Sequence, residues 1–261
     1  MIANSKILIN INNLNDINEY KKIGINNFLF AVKDLSIGYT SYDLENIPTD
    51  SYLFINRVFD TEGINIFKSK LEQIKQYKGV IFEDLGVYHL LKDTGVELIW
   101  FQNHFTTNYQ SMNYYLNNGC TSAVVSNEIT LDEITEIANK AVKKVVINIF
   151  GKNQIMYSRR TLMTNFNKHN NLRDIKDAYI YEKISNNEFN IEENEYGTVV
   201  FNSTYFNYIK AVESLDDKVY LYLVMNKDYS VKEIEEILNG KEVGNAGFLN
   251  RKTVYRLADY K

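Results

Sequence analysis

The feature that most constrains this chain is a repeated switch between two hydrophobic periods. Short β-branched runs alternate with segments whose apolar residues recur every three or four positions, the sequence pattern of parallel βαβ units. Strands are predicted at 6–12, 27–32, 51–57, 79–83, 97–102, 121–126 and 144–150. Between most of them lie amphipathic helices. One at 13–24 places Leu14, Ile17, Tyr20 and Ile23 on one face, and one at 61–77 does the same with Ile64, Phe67, Leu71 and Ile74. Further helices are expected at 85–93, 108–118 and 131–141, the last with Thr130 as N-cap and Asp132 and Glu133 in its first turn. The stretch 35–50 reads as a loop around Pro48, the single proline. The alternation breaks over 151–213, where runs at 179–184, 189–193 and 196–201 look like short antiparallel strands. A βα unit at 218–225 and 230–238 closes the series.

At 261 residues the chain is close to the ~250 typical of a (βα)8 barrel. The expected fold is α/β: a TIM-like barrel from 1–150 and 214–261, with 151–213 a small β-containing insertion before the last βα unit. An open doubly wound sheet is the alternative. Asn10-Ile11-Asn12-Asn13-Leu14 follows the first strand where a dinucleotide-binding fold would carry a glycine-rich phosphate loop.

The formal net charge is −4, hydrophobic residues make up 45% and charged residues 24%. These values exclude a polybasic binder and a chain disordered throughout. Cys120 is the single cysteine, so neither an internal disulfide nor an all-cysteine metal site can form within the chain. There is no apolar run of ~18 residues. Met1–Lys6 does not open a secretory leader. A cytoplasmic location is expected, with no membrane association. One asymmetry stands out. In the window 140–176 the basic residues are Lys140, Lys143, Lys144, Lys152, Arg159, Arg160, Lys168, Arg173 and Lys176, and the acidic ones are Asp174 alone. With Tyr157 and Phe166 interleaved, this is a candidate RNA contact, since cations neutralise phosphate and aromatics stack on bases. A solvated basic surface is the competing reading.

In a barrel, function collects at the C-terminal strand ends. That rule selects Asn56 and Arg57, Glu83 and Asp84, Gln102 to His104, Ser126 to Glu128, and Phe150 to Lys152. Glu83, Asp84 and Glu128 are candidate acid–base groups and His104 a candidate pocket residue, with Asp84, His104 and Glu128 taken as the catalytic set, although Asp84 is equally placed to cap the helix beginning at Leu85. His89 falls mid-helix, and the three histidines lack metal-ligand spacing. Cys120 reads as a buried thiol.

The segment Ile155-Met-Tyr-Ser-Arg-Arg-Thr-Leu-Met-Thr-Asn-Phe166 resembles the signature of the U32 family, the collagenase-like peptidases, Tyr-Ser-Gly-Arg-Cys-Leu-(Leu/Met)-Ser-Asn-Tyr. Further blocks resemble the family in order. They are Asn56-Arg57, Glu83-Asp84-Leu85-Gly86 (Gln-Asp-Leu-Gly in the family), Thr106-Thr107-Asn108 and Glu128-Ile-Thr-Leu-Asp-Glu-Ile134. The last is Gly247-Phe248-Leu249 with Thr253-Val254-Tyr255-Arg256. The resemblance implies a substrate site that includes Asn56, Arg57, Asn108, Tyr157, Ser158, Arg160 and Asn165. Arg160 is expected to enter the pocket beside Asp84, His104 and Glu128, or else to tie the insertion to the barrel.

The chain also departs from the family. Thr161 stands where many members have a cysteine, Arg159 replaces a glycine and Asn127 an arginine. Members with four cysteines hold an iron–sulfur cluster and take part in oxygen-independent hydroxylation of RNA bases or ubiquinone precursors. The resemblance thus implies a tRNA or RNA hydroxylation component, or a non-catalytic partner of a cluster-bearing U32 homologue. The isolated chain is expected to hold no cofactor and no iron–sulfur cluster. The family name implies a peptidase instead, though no nucleophile or metal motif is visible.

Overall fold

The computed structural model describes residues 2–184 and 186–251. Eight strands run parallel: β1 (Ile7–Asn10), β2 (Asn27–Val32), β4 (Tyr52–Ile55), β5 (Gly79–Phe82), β6 (Glu97–Trp100), β7 (Ser122–Val125), β8 (Val145–Ser158) and β12 (Val219–Met225). Strand β12 pairs in parallel with both β1 and β8, which closes the sheet into a barrel. That double pairing excludes the open sheet. A two-residue strand β3 (Ser41–Tyr42) adds to β2 within the expected loop.

Helices α1 (Ile17–Lys22), α2 (Thr61–Ile74), α3 (Leu85–Leu91), α4 (Tyr109–Asn117), α5 (Leu131–Lys140) and α7 (Val231–Leu238) occupy the connections. Helix α1 is shorter than its periodicity predicts, because Leu14–Asp16 forms a 3-10 turn. Thr130 and Ser230 each close a capping box, with Glu133 and Glu233 returning the bond, so α5 and α7 have their starts written into the sequence. Among the described residues no helix is long and apolar enough to cross a membrane.

The barrel strands are buried on both faces, as their continuous apolar runs require. Alternate residues point inward: Leu8, Leu29, Tyr52, Phe54, Ile81, Ile99, Val124, Val146 and Leu223 pack into one interior cluster. The other set, including Ile7, Ile9, Phe30, Leu53, Val80 and Ile147, packs under the helices. At the N-terminal end the interior finishes in a polar contact, where Tyr52 and Tyr220 both donate to Glu97 Oε2 at 2.7 Å.

The break in alternation is an antiparallel extension of the same sheet. Strand β8 runs eight residues beyond Phe150 and leaves the barrel wall. It pairs there with β11 (Gly197–Asn207), followed by β10 (Asn187–Asn194) and β9 (Asp177–Glu182). Helix α6 (Leu162–His169) packs on this layer. The sequence from Gly151 to Ser158 has no clean alternation, and it becomes strand because β11 supplies the partner. Gly197 opens β11 at φ +135°, with Ser158 O only 2.1 Å from where a Cβ would sit, so this turn tolerates no side chain.

Candidate functional site

Carrying the interior alternation onward places Asn56, Glu83 and Phe101, each one residue past its strand, and Asn148, within β8, at the C-terminal mouth. Here the structure forms a cavity of about 210 Å³. Its walls are Tyr39, Phe54, Phe101 and Tyr157, and its polar lining includes Glu83, Asn148 and Lys152. Tyr39 meets Phe54 edge-on at 5.4 Å between centroids, and Phe54 tilts against Phe101 at 5.8 Å.

The charges around this cavity are almost all committed elsewhere. Lys152, buried, pairs with Asp228 at 2.6 Å and lies 5.1 Å from the Tyr205 ring centroid. Lys227 pairs with Glu192 at 2.6 Å, donates to Gly38 O and sits over the Phe201 ring, and desolvation lowers its pKa. Arg57 lies 3.6 Å from the centre of the Tyr196 ring and donates to Asp34 O. Glu83 has no hydrogen bond or ion pair to its carboxyl among the described residues. Protein packing desolvates that carboxyl and pushes its pKa up to about 8. Asn148 is buried and its Oδ1 is unpartnered.

The residues named from sequence separate into three groups. His104 and Tyr157 line the cavity; His104 is 64% exposed and stands 3.5 Å from Glu128, and Tyr157 donates to Tyr196 O at 3.2 Å. Asn56, Arg57, Asp84 and Asn108 build the frame. Asn56 is fully buried and clamps Ile37, accepting from its N–H at 2.9 Å and donating to its carbonyl at 3.0 Å. Asp84 accepts from Gly86 N at 2.7 Å and Phe59 N at 2.9 Å, so it caps α3. Asn108 caps α4 through Ser111 N. Ser158, Arg160 and Asn165 lie on the insertion side. Ser158 accepts from the Arg160 amide at 3.2 Å, and Arg160 and Asn165 are exposed.

The expected meeting of Arg160 with Asp84 and Glu128 does not occur. Arg160 follows a strand that has already left the barrel wall, and the neighbouring Arg159 makes the tie, to Asp60. Tyr39, Asn148 and Asp228 were not selected from sequence. Counting in twos from Val146 finds Asn148, whereas Tyr39 and Asp228 reach the mouth only through loop folding.

A family model described as Peptidase family U32 matches residues 30–224. The chain belongs to peptidase family U32. Over 177 residues it is 24% identical to the tRNA hydroxylation protein P2 of Bacillus subtilis (strain 168), covering 64% of this chain and 57% of that relative. It thus spans little more than half of the relative's length. A solved U32 peptidase is similar at a TM-score of 0.46 and 9% identity, over 57% of this chain and 70% of that one. A chitinase from Chromobacterium violaceum ATCC 12472 is similar at a TM-score of 0.39 and 8% identity, over 90% of this chain and 100% of that one.

The residues present depart from the cysteine-bearing U32 pattern. Thr161 opens α6 with no side-chain cap bond, and Cys120 is buried between α4 and β7 beside the Lys143 ammonium. Burial pushes the Cys120 thiol up to about 11. These residues do not fit an iron–sulfur cluster within one chain. Among the described residues no group of three or more His, Cys, Asp or Glu is arranged to hold a metal ion.

The basic window also divides. Lys143 and Lys144 precede β8 at the N-terminal end of the barrel, whereas Lys152 and Arg160 lie toward the mouth and Lys168, Arg173 and Lys176 on the insertion. The 14 residues of β8, at about 3.3 Å each, put roughly 45 Å between its ends. Of the tail block, Phe248 and Leu249 pack near Tyr208 and Leu131; Thr253 to Arg256 lie outside the described residues.

Proposed function

We propose that this U32 protein is a component of a tRNA hydroxylation system, with the barrel mouth as the place where an unstacked base is received. The observation that carries this reading is the cavity itself, a slot with aromatic walls and a polar lining. Lys152 is paired with Asp228, and desolvation pushes the Glu83 carboxyl up to about 8. Enzymes that act on a base take it out of the stack into such a pocket, between aromatic faces and hydrogen-bonding groups. The similarity to the tRNA hydroxylation protein P2 supports the same reading.

In this reading the redox chemistry resides in a cluster-bearing U32 homologue bound to the chain. The single buried cysteine supports the partner arrangement. Exposed Arg160, Lys168, Arg173 and Lys176 are the candidate phosphate contacts on the mouth side.

The test is a deletion strain. Mass analysis of tRNA nucleosides is expected to show loss of a hydroxylated base, restored by the wild-type gene. An unchanged nucleoside profile, together with cleavage of denatured collagen by purified protein that Glu83→Ala abolishes, would overturn the proposal in favour of a peptidase.

A further inference from the structure

The U32 similarity leaves the role of Glu83 open. It stands on the inner face one residue past β5, in the wall of the mouth cavity, between Phe54 and Phe101 on neighbouring strand ends. Each cation close enough to hold a carboxylate is committed elsewhere, as described for Lys152, Lys227 and Arg57. The carboxyl is half-buried with no cation free to pair with it, a setting that favours the neutral acid over the carboxylate.

A neutral carboxyl offers an O–H donor beside a C=O acceptor in one plane. That arrangement is complementary to a ring edge carrying a carbonyl next to an N–H. The aromatic walls suit a flat ring, and the unpartnered Asn148 amide supplies another polar contact in the same cavity.

We propose that Glu83 is the recognition residue of the mouth, its carboxyl giving one hydrogen bond to and taking one from the carbonyl and N–H edge of a neutral planar ligand held between the aromatic walls. The inference rests on the reading of the mouth as a base-binding site, and assigns Glu83 a hydrogen-bonding role in place of a charged one.

The neighbouring titratable groups leave Glu83 to set the pH response. Burial raises Tyr39, from the loop after β2, and Tyr157, from the far end of β8, above the usual tyrosine value. Lys152 on β8 stays paired with Asp228 from the loop after β12. His104, after β6, faces Glu128. With its pKa raised to about 8, Glu83 donates below that pH. Above it, the group loses its donor and sets a negative charge against the ligand carbonyl.

The experiment titrates 1-methyluracil, whose one ring N–H is that of N3, into the purified full chain by NMR between pH 6.5 and 9, with 1,3-dimethyluracil, which has no ring N–H, as control. For wild type, 1-methyluracil affinity is expected to hold below pH about 8 and to fall toward tenfold per pH unit above it. Glu83→Gln keeps a donor and an acceptor but no titrating proton. It is expected to bind about two- to five-fold more weakly at pH 7, with no decline up to pH 9. Glu83→Ala is expected to lose about thirtyfold or more at pH 7, with circular dichroism confirming that the variant folds. The control compound binds poorly to all three.

A wild-type affinity independent of pH, a decline that persists in Glu83→Gln, equal binding of the dimethylated ring, or no 1-methyluracil binding at all would each overturn the role of Glu83. The deletion strain is read separately. Lost tRNA hydroxylation with a failed titration removes Glu83 and keeps the function. A positive titration with unchanged tRNA keeps Glu83 and removes the function.

Discussion

Glu83 and Asp84 are adjacent carboxylates with opposite fates, and the cause is strand geometry. One step past β5 the chain still alternates, so Glu83 enters the cavity, where desolvation raises its pKa. Asp84 turns outward, and both its oxygens take backbone N–H groups. Asn56 shows a third outcome, a polar residue at a strand end used wholly for construction. Replacing it by alanine leaves the buried Ile37 N–H and carbonyl without partners. Asn56→Ala is expected to cost about 2–4 kcal/mol in urea unfolding. A loss under about 0.5 kcal/mol would show that the Ile37 loop does not depend on this clamp.

Among the elements, α6 has the least conventional start. Thr161 makes no side-chain cap bond, and Glu193 of β10 serves instead, accepting from Met163 N at 2.7 Å and Thr164 N at 3.0 Å. Burial on its own would raise this carboxyl, but the hydrogen bonds from Thr164, Thr198 and the two amides outweigh it and hold the pKa below the usual glutamate value. A depressed carboxylate stabilises fully above its unfolded value near 4.3, and that contribution is lost as pH falls through the folded value. Amide exchange in α6, referred to β4 and β5 as internal standards, is therefore expected to accelerate as pH drops from 6 to 3. Glu193→Gln is expected to weaken α6 by about 1–2 kcal/mol at neutral pH and to flatten the pH response. Equal acid sensitivity in wild type and variant would exclude Glu193 as its source.

At the scale of the whole molecule, the buried tyrosines tie the barrel to its pH range. Desolvation raises Tyr39, Tyr52, Tyr205 and Tyr222 well above the usual value, and lifts Tyr20 and Tyr208 to about 12. A raised folded pKa contributes stability that is complete below the unfolded value near 10 and is lost as pH climbs through the folded value. Alkaline titration is expected to release most tyrosinate absorbance together with the loss of circular dichroism. Titration of the bulk of the tyrosines near pH 10 with the dichroism intact would mean that these rings are not held in the folded core.

The sequence by itself determined the parallel barrel and its order of elements, because apolar period, capping residues and strand-to-strand spacing are local signals. It also determined which strand ends form the mouth, and His104 and Tyr157 were legible there as lining residues. The choice between a closed barrel and an open sheet was decided by tertiary structure, since the pairing of β12 with β1 joins residues more than 200 positions apart and leaves no local trace. The extension of β8 was decided the same way, by a partner strand arriving from position 197 onward. The division of labour among the site residues came last. Asn56, Asp84 and Asn108 carry the same polar signature as a binding residue, and only the backbone groups brought to them in three dimensions make them structural. Glu83 has a carboxylate's sequence signature, and only the packing that half-buries it and commits the neighbouring cations elsewhere raises its pKa.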